Sequence, residues 1–139
     1  MFRRILVPVD FTPRNRRAVG VAARLAATAG AEATLLHVIE RIDGGAPGGL
    51  AGFYRKLERS ARRNMEDLLS EFQKRGVSAS AEVLYGGRVN EIIRFAEQKR
   101  IDLIVMSSHK LPLRHGAEGW GTISHKIGIL SRCPVLLVK

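Results

Sequence analysis

Short runs of apolar residues alternate along this chain with longer stretches in which apolar residues recur every three or four positions. The short runs are rich in leucine and β-branched residues, a composition typical of strands. Five are predicted as strands: 5–9, 33–39, 80–85, 101–106 and 135–138. The first, fourth and fifth are almost continuously hydrophobic, as are strands covered on both faces. The pattern indicates a parallel sheet between two layers of helices.

The intervening stretches predict four helices, because their apolar residues repeat with the period of an α-helix. These helices are expected at 15–29, 53–75, 90–98 and 122–130. Thr12-Pro13 provides a start signal and Gly30 a stop signal for the first helix, and the second ends at Gly76. Leu57 is expected among the inward-facing residues of the second helix.

Strands that alternate with helices predict right-handed βαβ units and a doubly wound α/β fold. The predicted sheet has five parallel strands in the order 3-2-1-4-5, with helices on both faces. The stretch 43–52 contains five glycines and a proline and is expected to be a loop. Because the chain on both sides of this loop is needed for one sheet, a single domain is expected over residues 1–139.

In such a sheet, ligands bind beyond the carboxyl ends of the strands where the connections diverge, here between strands 1 and 4. Asp10 directly ends the first apolar run, so its carboxylate is expected in this crevice. There it would accept hydrogen bonds from ribose hydroxyls or an exocyclic amine. Aspartate is equally common in the turn before a helix, so both interpretations stay open.

The stretch after strand 4 delivers Gly121-Thr122-Ile123-Ser124 to the start of a helix. Free amides at a helix N-terminus, next to small residues, form a site for anions such as phosphate. Thr122 or Ser124 would add a hydroxyl, and Lys110, Arg114 and Lys126 would add positive charge. A glycine before a helix is weak evidence alone, since glycine also serves turns and caps.

The formal charge is +10, with dense basic clusters at 14–17 and 55–63. Such an excess favours anionic partners, but a solvated helix face is the favoured interpretation of these clusters. Aromatic residues make up 6% and do not interleave with the basic runs, so a stacking platform for single strands is missing. Nucleic acid and membrane are therefore not expected partners, and binding of polyanions remains a second alternative function.

Other features narrow the class of protein. No apolar run approaches the length of about eighteen residues that spans a membrane, and a cytoplasmic location is expected. The single cysteine, Cys133, agrees with a reducing compartment and is expected to be a small buried residue. His37 lies within the second strand and is assigned no role. The sequence lacks a P-loop, a nucleophile elbow and metal-ligand spacing, so neither a catalytic nor a metal site is predicted.

Four segments, taken in order, resemble the universal stress protein family across essentially the full chain. They are RRILVPVDFT at 3–12, ATLLHVIE at 33–40, DLIVMSSH at 102–109 and GTISHKIGILSRCPVLLVK at 121–139. The resemblance implies an adenine nucleotide alpha hydrolase-like fold and, in one branch, ATP binding. It implies that Asp10 contacts the nucleoside, that backbone at Val38 touches adenine, and that a G-x2-G-x9-G-[ST] loop from Ser107 holds the phosphates. The predicted nucleotide-binding residues are Asp10, Phe11, Thr12, Val38, Met106, Ser107, Ser108, Lys110, Gly121, Thr122, Ile123 and Ser124.

The chain departs from that glycine pattern. Ser107 and Lys110 stand where the first two glycines are expected, and Gly121-Thr122 falls one residue late. A side chain in place of glycine restricts the backbone and occupies space that a phosphate needs, which argues for weakened triphosphate binding. An ammonium from Lys110 would offset part of this loss.

The sequence therefore predicts a non-enzymatic binder of ATP or another adenine nucleotide such as AMP, with slow hydrolysis and a companion Mg²⁺ left open. The resemblance implies a dimer, commonly through the last strand, and an exposed edge at 135–138 favours pairing with a second copy. Occupancy of the site would then alter a regulatory protein partner that the sequence does not identify. The alternative is a protein-interaction module of the same fold that binds no nucleotide.

Overall fold

The structure is a computed structural model that describes residues 1–41, 50–108 and 122–139. Strands and helices alternate strictly through these residues. The elements are β1 (Arg4–Pro8), α1 (Arg14–Ala29), β2 (Glu32–Ile39), α2 (Ala51–Gln73), β3 (Ala79–Tyr85), α3 (Arg88–Gln98), β4 (Leu103–Ser107), α4 (Ile123–Leu130) and β5 (Val135–Val138). The expected loop at 43–52 lies mostly outside the described residues, and its last residues, from Ala51, belong to α2.

The five strands form one parallel sheet in the order β3-β2-β1-β4-β5, which confirms the predicted topology. β1 is central, and its Ile5 is paired with Ala33 of β2 on one side and with Leu103 of β4 on the other. The carboxyl ends of β1 and β4 therefore lie side by side. β3 and β5 are the two edge strands.

Two hydrophobic clusters cover the two faces of the sheet, because successive side chains of a strand point to opposite faces. Ile5 and Val7 of β1 pack in a cluster with residues of α1 and α2, and Leu6 between them packs in a cluster with residues of α3 and α4. The second helix of the first layer contributes the fully buried Met65 and Phe72. The helices therefore lie two on each face, as the sequence predicts.

β4 begins at Leu103, two residues later than the apolar run suggests. Ile101 is still part of the turn that ends α3, since its amide donates to Ala96 O at 2.9 Å. Asp102 then uses its carboxylate to accept hydrogen bonds from the backbone amides of Arg3, at 2.9 Å, and Arg4, at 3.1 Å. Hydrophobicity alone therefore overestimates the length of this strand, because Ile101 belongs to the turn after α3 and Asp102 binds the start of β1.

Helix ends follow local backbone chemistry. Gly30 ends α1 in the left-handed conformation, at φ 65°, as its stop signal predicts. α3 begins at Arg88, two residues before the expected start, because Gly87 is its N-cap and the amide of Glu91 donates to Gly87 O at 2.9 Å.

The prediction that Leu57 faces inward from α2 is wrong, because this side chain is 39% exposed. Leu57 lies at the border of the buried stripe formed by Tyr54, Ala61, Met65, Leu68 and Phe72.

Cys133 is half-buried, less enclosed than expected, in the turn between α4 and the edge strand β5. Its Sγ lies 3.4 Å from Ser131 Oγ. Among the described residues, no helix is both long enough and apolar enough to cross a lipid bilayer.

Substitution of a core phenylalanine tests this assignment of layers. Phe72→Ala is expected to lower the free energy of unfolding by about 3–5 kcal/mol, because Phe72 is fully buried between α2 and the sheet. Phe53→Ala is the matched control on the same helix: Phe53 is 47% exposed, and its loss is expected to cost under about 1 kcal/mol. Urea denaturation of the two variants measures both values, and equal losses would contradict the assignment.

Candidate functional site

A crevice of about 330 Å³ lies at the carboxyl ends of β1, β2 and β4, beside the N-termini of α3 and α4. Its volume is within the range of small-molecule sites, about 300–1,000 Å³. It lies on the α3 and α4 face of the sheet, because Leu36 and Val38 line it and pack in the cluster on that face. The lining residues are Pro8, Val9, Asp10, Asn15, Leu36, Val38, Arg88, Ile92, Met106, Ser107, Thr122, Ile123 and Ser124.

The lining divides into an apolar wall and a polar rim. Leu36, Val38, Ile92 and Met106 form the wall, and all four are buried. The polar side chains come from the loop after β1, from the end of β4 and from the starts of α1, α3 and α4. A flat heterocycle against the wall would therefore leave its polar substituents within reach of the rim.

Asp10 follows β1 at the rim and fulfils its turn role. Its Oδ1 accepts hydrogen bonds from the amide of Thr12 at 3.0 Å and from Thr12 Oγ1 at 2.8 Å. Among the described residues, no donor reaches its second oxygen, Oδ2. The exposed carboxylate therefore shapes the turn and also faces the crevice, so the two sequence interpretations are compatible.

Asn15 in the first turn of α1 organises this end of the crevice, and the sequence prediction missed it. Its Oδ1 accepts from the amides of Asp10 at 2.6 Å and Phe11 at 2.8 Å, and its Nδ2 donates to Ser107 Oγ at 2.7 Å. The residue is 3% exposed. One buried side chain therefore joins the loop after β1, the start of α1 and the end of β4.

A signal for Asn15 does exist in the sequence. Asn15 shares the inward face of the helix with Val19, Ala22 and Ala26, and it is the polar member of that stripe. A polar residue at a buried position requires hydrogen-bond partners. The loop amides and the serine hydroxyl at the expected crevice are the groups that meet this requirement.

Ser107, one of the two departures from the glycine pattern, lines the crevice and has a partner for its hydroxyl. The bond from Asn15 Nδ2 fixes this side chain at the end of β4. The other departure, Lys110, lies outside the described residues, as do Arg114 and Gly121. Ser108 is buried but does not line the crevice; its Oγ accepts from Lys139 Nζ at 3.2 Å.

The N-terminus of α4 faces the crevice through Thr122, Ile123 and Ser124. Thr122 is the N-cap, and its Oγ1 accepts from the amide of His125 at 3.3 Å. Among the described residues, no acceptor lies within hydrogen-bond distance of the amides of Ile123 and Ser124, as is usual for the first amides of a helix. This end of the crevice can therefore accept an anion.

Phe11 and Thr12 do not line the crevice, although the sequence groups them with Asp10. Phe11 packs on the opposite face of the sheet, where its ring centroid lies 4.5 Å from that of His37. His37 Nδ1 is 2.8 Å from Val9 O. Burial lowers the pKa of His37 below its ordinary value, although the hydrogen bond with Val9 acts in the opposite direction. The imidazole therefore stays neutral at pH 7. It holds the loop after β1 through its hydrogen bond with Val9 O and its contact with the Phe11 ring.

Arg88 is a second lining residue that the sequence reasoning missed. It is the first residue of α3 and follows β3, whose carboxyl end was not considered as a source of site residues. Its backbone amide donates to Glu40 Oε1 at 3.2 Å, which ties the end of β2 to the start of α3. The exposed side chain adds a cation at the rim.

The described residues contain no cluster of three His, Cys, Asp or Glu side chains that could hold a metal ion.

The family model of the universal stress protein family matches residues 1–139 of this chain. The chain belongs to the universal stress protein family. This universal stress protein is 28% identical over 155 aligned residues to the universal stress protein YxiE of Bacillus subtilis, with 100% of each chain covered. The solved structure of MJ0577, from Methanocaldococcus jannaschii, superposes with a TM-score of 0.85 at 26% identity and covers 100% of this chain and 96% of that one.

Three more distant structures of the same fold hold adenine nucleotides. A universal stress protein in complex with cAMP has a TM-score of 0.78 at 15% identity, covering 99% of this chain and 97% of that one. The Archaeoglobus fulgidus protein in complex with dAMP has 0.74 at 18% identity, with 99% and 98% covered. The Arabidopsis thaliana protein At3g01520, with AMP bound, has 0.72 at 19% identity, with 99% and 91% covered.

The role of Asn15 in this universal stress protein is tested by truncating it. Asn15→Ala would leave two loop amides and the Ser107 hydroxyl without their partner in a buried position, which is expected to lower the free energy of unfolding by about 2–4 kcal/mol. Asn64→Ala, at an exposed position of α2, is the control and is expected to change it by under about 0.5 kcal/mol. Urea denaturation gives both values. An Asn15→Ala variant as stable as the control would show that the bonds are dispensable.

Proposed function

We propose that this universal stress protein binds an adenine nucleotide in the crevice and acts through occupancy of that site. The observation that carries the proposal is the convergence, in one cavity of about 330 Å³, of an apolar wall, a helix N-terminus and a carboxylate oxygen that no described residue engages. Each of these matches one part of a nucleotide: base, sugar and phosphate. The structures that hold cAMP, dAMP and AMP support it, because they share this fold and their ligands share the adenine base.

The apolar wall is the part suited to the base. Val38 and Met106 come from strands on either side of β1, and Ile92 comes from α3, so a planar ring can be enclosed from several directions. Burial of apolar surface would supply most of the binding free energy, at about 25 cal/mol per Å². Backbone at Val38, near the end of β2, would contact the edge of the adenine.

The polar rim would orient the sugar and the phosphates. The Oδ2 atom of Asp10 is an acceptor suited to ribose hydroxyls, because its other oxygen is already engaged by Thr12. The amides of Ile123 and Ser124 at the start of α4, which have no acceptor among the described residues, would bind phosphate oxygens, helped by the positive end of the helix dipole. Lys110 and Gly121 keep their predicted phosphate roles as part of this proposal.

Binding without efficient catalysis is the second part of the proposal. The titratable side chains in the described lining are Asp10 and Arg88, and neither is paired with a histidine or a second carboxylate in the manner of a general acid–base pair. Nucleotide occupancy would instead alter the loops or the subunit interface and so the contact with a regulatory protein. Slow hydrolysis, with or without Mg²⁺, is compatible with this role.

Thermal shift measurements with ATP, ADP and AMP test the binding. A ligand at a hundred times its dissociation constant stabilises a protein by about 2.7 kcal/mol, which raises the melting temperature by several degrees. Asp10→Asn is expected to weaken binding about tenfold or more, because it replaces a charged acceptor of ribose hydrogen bonds. Asparagine also forms this kind of turn, so the fold should be kept.

Asp67→Asn is the matched control, since Asp67 is exposed on α2 and does not line the crevice. It is expected to bind nucleotide like the unchanged protein. No shift of the unchanged protein with any of the three nucleotides at millimolar concentration would overturn the proposal. That result would favour the alternative of a protein-interaction module in which the crevice is kept only for its shape.

We further propose a homodimer that includes the edge strand β5. Among the described residues, no strand pairs with the outer edge of β5, and Leu136 on this strand is 38% exposed. Ile129 and Leu130, at the end of the adjacent α4, are 70% and 55% exposed. An open strand edge beside exposed apolar side chains is typical of a surface that pairs with a second copy.

Light scattering at micromolar concentration tests this arrangement, and a dimer mass is expected. Ile129→Asp with Leu130→Asp is expected to shift the mass to that of a monomer, because two charges would be buried without partners in the interface. Leu50→Asp is the control, since Leu50 is 41% exposed and lies at the start of α2 on another surface. A monomer mass for the unchanged protein would refute the dimer.

A further inference from the structure

The layer formed by α1 and the first half of α2 carries a large unbalanced positive charge. Residues 14–29 contain four arginines and no acidic residue, and residues 51–63 contain five Lys or Arg and one acidic residue. Both helices begin at the carboxyl edge of the sheet and pack against each other. Their basic N-terminal halves therefore lie side by side. We call the exposed residues Arg16, Arg17, Lys56, Arg59 and Arg63 the basic surface.

The placement of these charges opposes helix stability. Cations are unfavourable near the positive N-terminal end of the helix dipole, yet neither helix has an acidic residue in its first turn. The acidic residues Glu66, Asp67 and Glu71 lie instead in the second half of α2. The five residues of the basic surface form no ion pair with any described residue. Residues that act against local helix stability in this way are concentrated at functional surfaces.

An exposed apolar stripe lies next to these cations on α2. Leu50 is 41% exposed, Phe53 47% and Leu57 39%. Because residues three and four apart are neighbours on a helix, Lys56 and Leu57 both lie beside Phe53. Arg59 lies beside Lys56 in the same way, and Arg63 lies beside Arg59. Apolar side chains bordered by arginines and lysines are the composition of helices that lie in a membrane interface.

We propose that the basic surface and the stripe Leu50, Phe53 and Leu57 together dock on an anionic lipid bilayer. The cations would attract the negative surface, and the three apolar side chains would enter the boundary between headgroups and acyl chains. None of these residues lines the crevice, so the docking surface is a separate feature of the molecule.

The apolar stripe favours a bilayer over a nucleic acid. Leucine side chains do not contribute to contacts with phosphate groups. Single-strand binders stack successive bases on aromatic rings, whereas Phe53 is the single aromatic residue of the proposed docking surface. A bilayer uses both components of the surface. Attraction by cations alone would disappear at high salt, whereas insertion of apolar side chains is much less affected by salt.

Co-sedimentation with vesicles tests the proposal. The full chain is expected to bind vesicles of phosphatidylglycerol and phosphatidylcholine but not vesicles of phosphatidylcholine alone. The triple variant Lys56→Glu, Arg59→Glu, Arg63→Glu is expected to bind at least about 100-fold more weakly, since each cation near an anionic surface contributes about a fivefold factor. Its melting temperature should stay the same or rise, because acidic residues replace cations near the start of the helix.

The matched control reverses three cations at the opposite, amino edge of the sheet. Arg3→Glu, Arg75→Glu and Lys99→Glu together change the net charge equally but should leave binding within about threefold of the unchanged protein. Phe53→Ser with Leu57→Ser is expected to weaken binding by about tenfold or more, with the remaining binding lost at high salt.

The proposal is overturned if the unchanged protein fails to sediment with the anionic vesicles, or if the control variant loses as much binding as the first. Binding to a single-stranded RNA oligonucleotide without binding to vesicles would identify nucleic acid as the partner of the surface instead. Vesicle binding that is indifferent to the two serine substitutions would contradict the role of the apolar stripe.

Discussion

The crevice depends on one buried amide. Asn15 holds the loop after β1 by two hydrogen bonds from backbone amides and the end of β4 by a third bond, so one side chain links the two segments beyond the paired part of these strands. Because Asn15 is 3% exposed, its side chain is largely shielded from water, which strengthens hydrogen bonds in a less polar environment. The position of Asp10 and the orientation of Ser107 both follow from it. Asp10 and the residues of the apolar wall belong to segments far apart in the chain, and the bonds of Asn15 help to keep these segments together.

The sequence predicts the sheet well because its information is mostly local and periodic. The five apolar runs and their alternation with helices predict a doubly wound parallel sheet, for which β3-β2-β1-β4-β5 was the expected order and is the order observed. Strand and helix limits are less accessible, since they depend on bonds to distant residues. The start of β4 is set by the bonds of Asp102 to Arg3 and Arg4, which no window around residue 101 contains.

The place of the crevice was predictable from the sequence, and the residues that line it were less so. Asp10, Val38, Met106 and Ser107 line the crevice because they follow strands whose ends meet at one edge, which topology alone implies. Phe11 does not, because its backbone adopts a φ of 62° and its ring packs against His37 on the other face. Asn15 and Arg88 were missed because one lies inside a helix and the other follows an edge strand. Their participation depends on tertiary contacts.

The bonds of Asp102 have a mechanical consequence for β1. This carboxylate accepts hydrogen bonds from the amino end of β1, and Asn15 accepts them from the loop at the other end. The pairing of β1 with β4 itself comprises two residue pairs. A strand anchored at both ends cannot slide along its neighbour. The register of β1 against β4, and with it the height of Asp10 relative to Ser107, is therefore set by side chains at both ends of the strand as well as by the strand pairing itself.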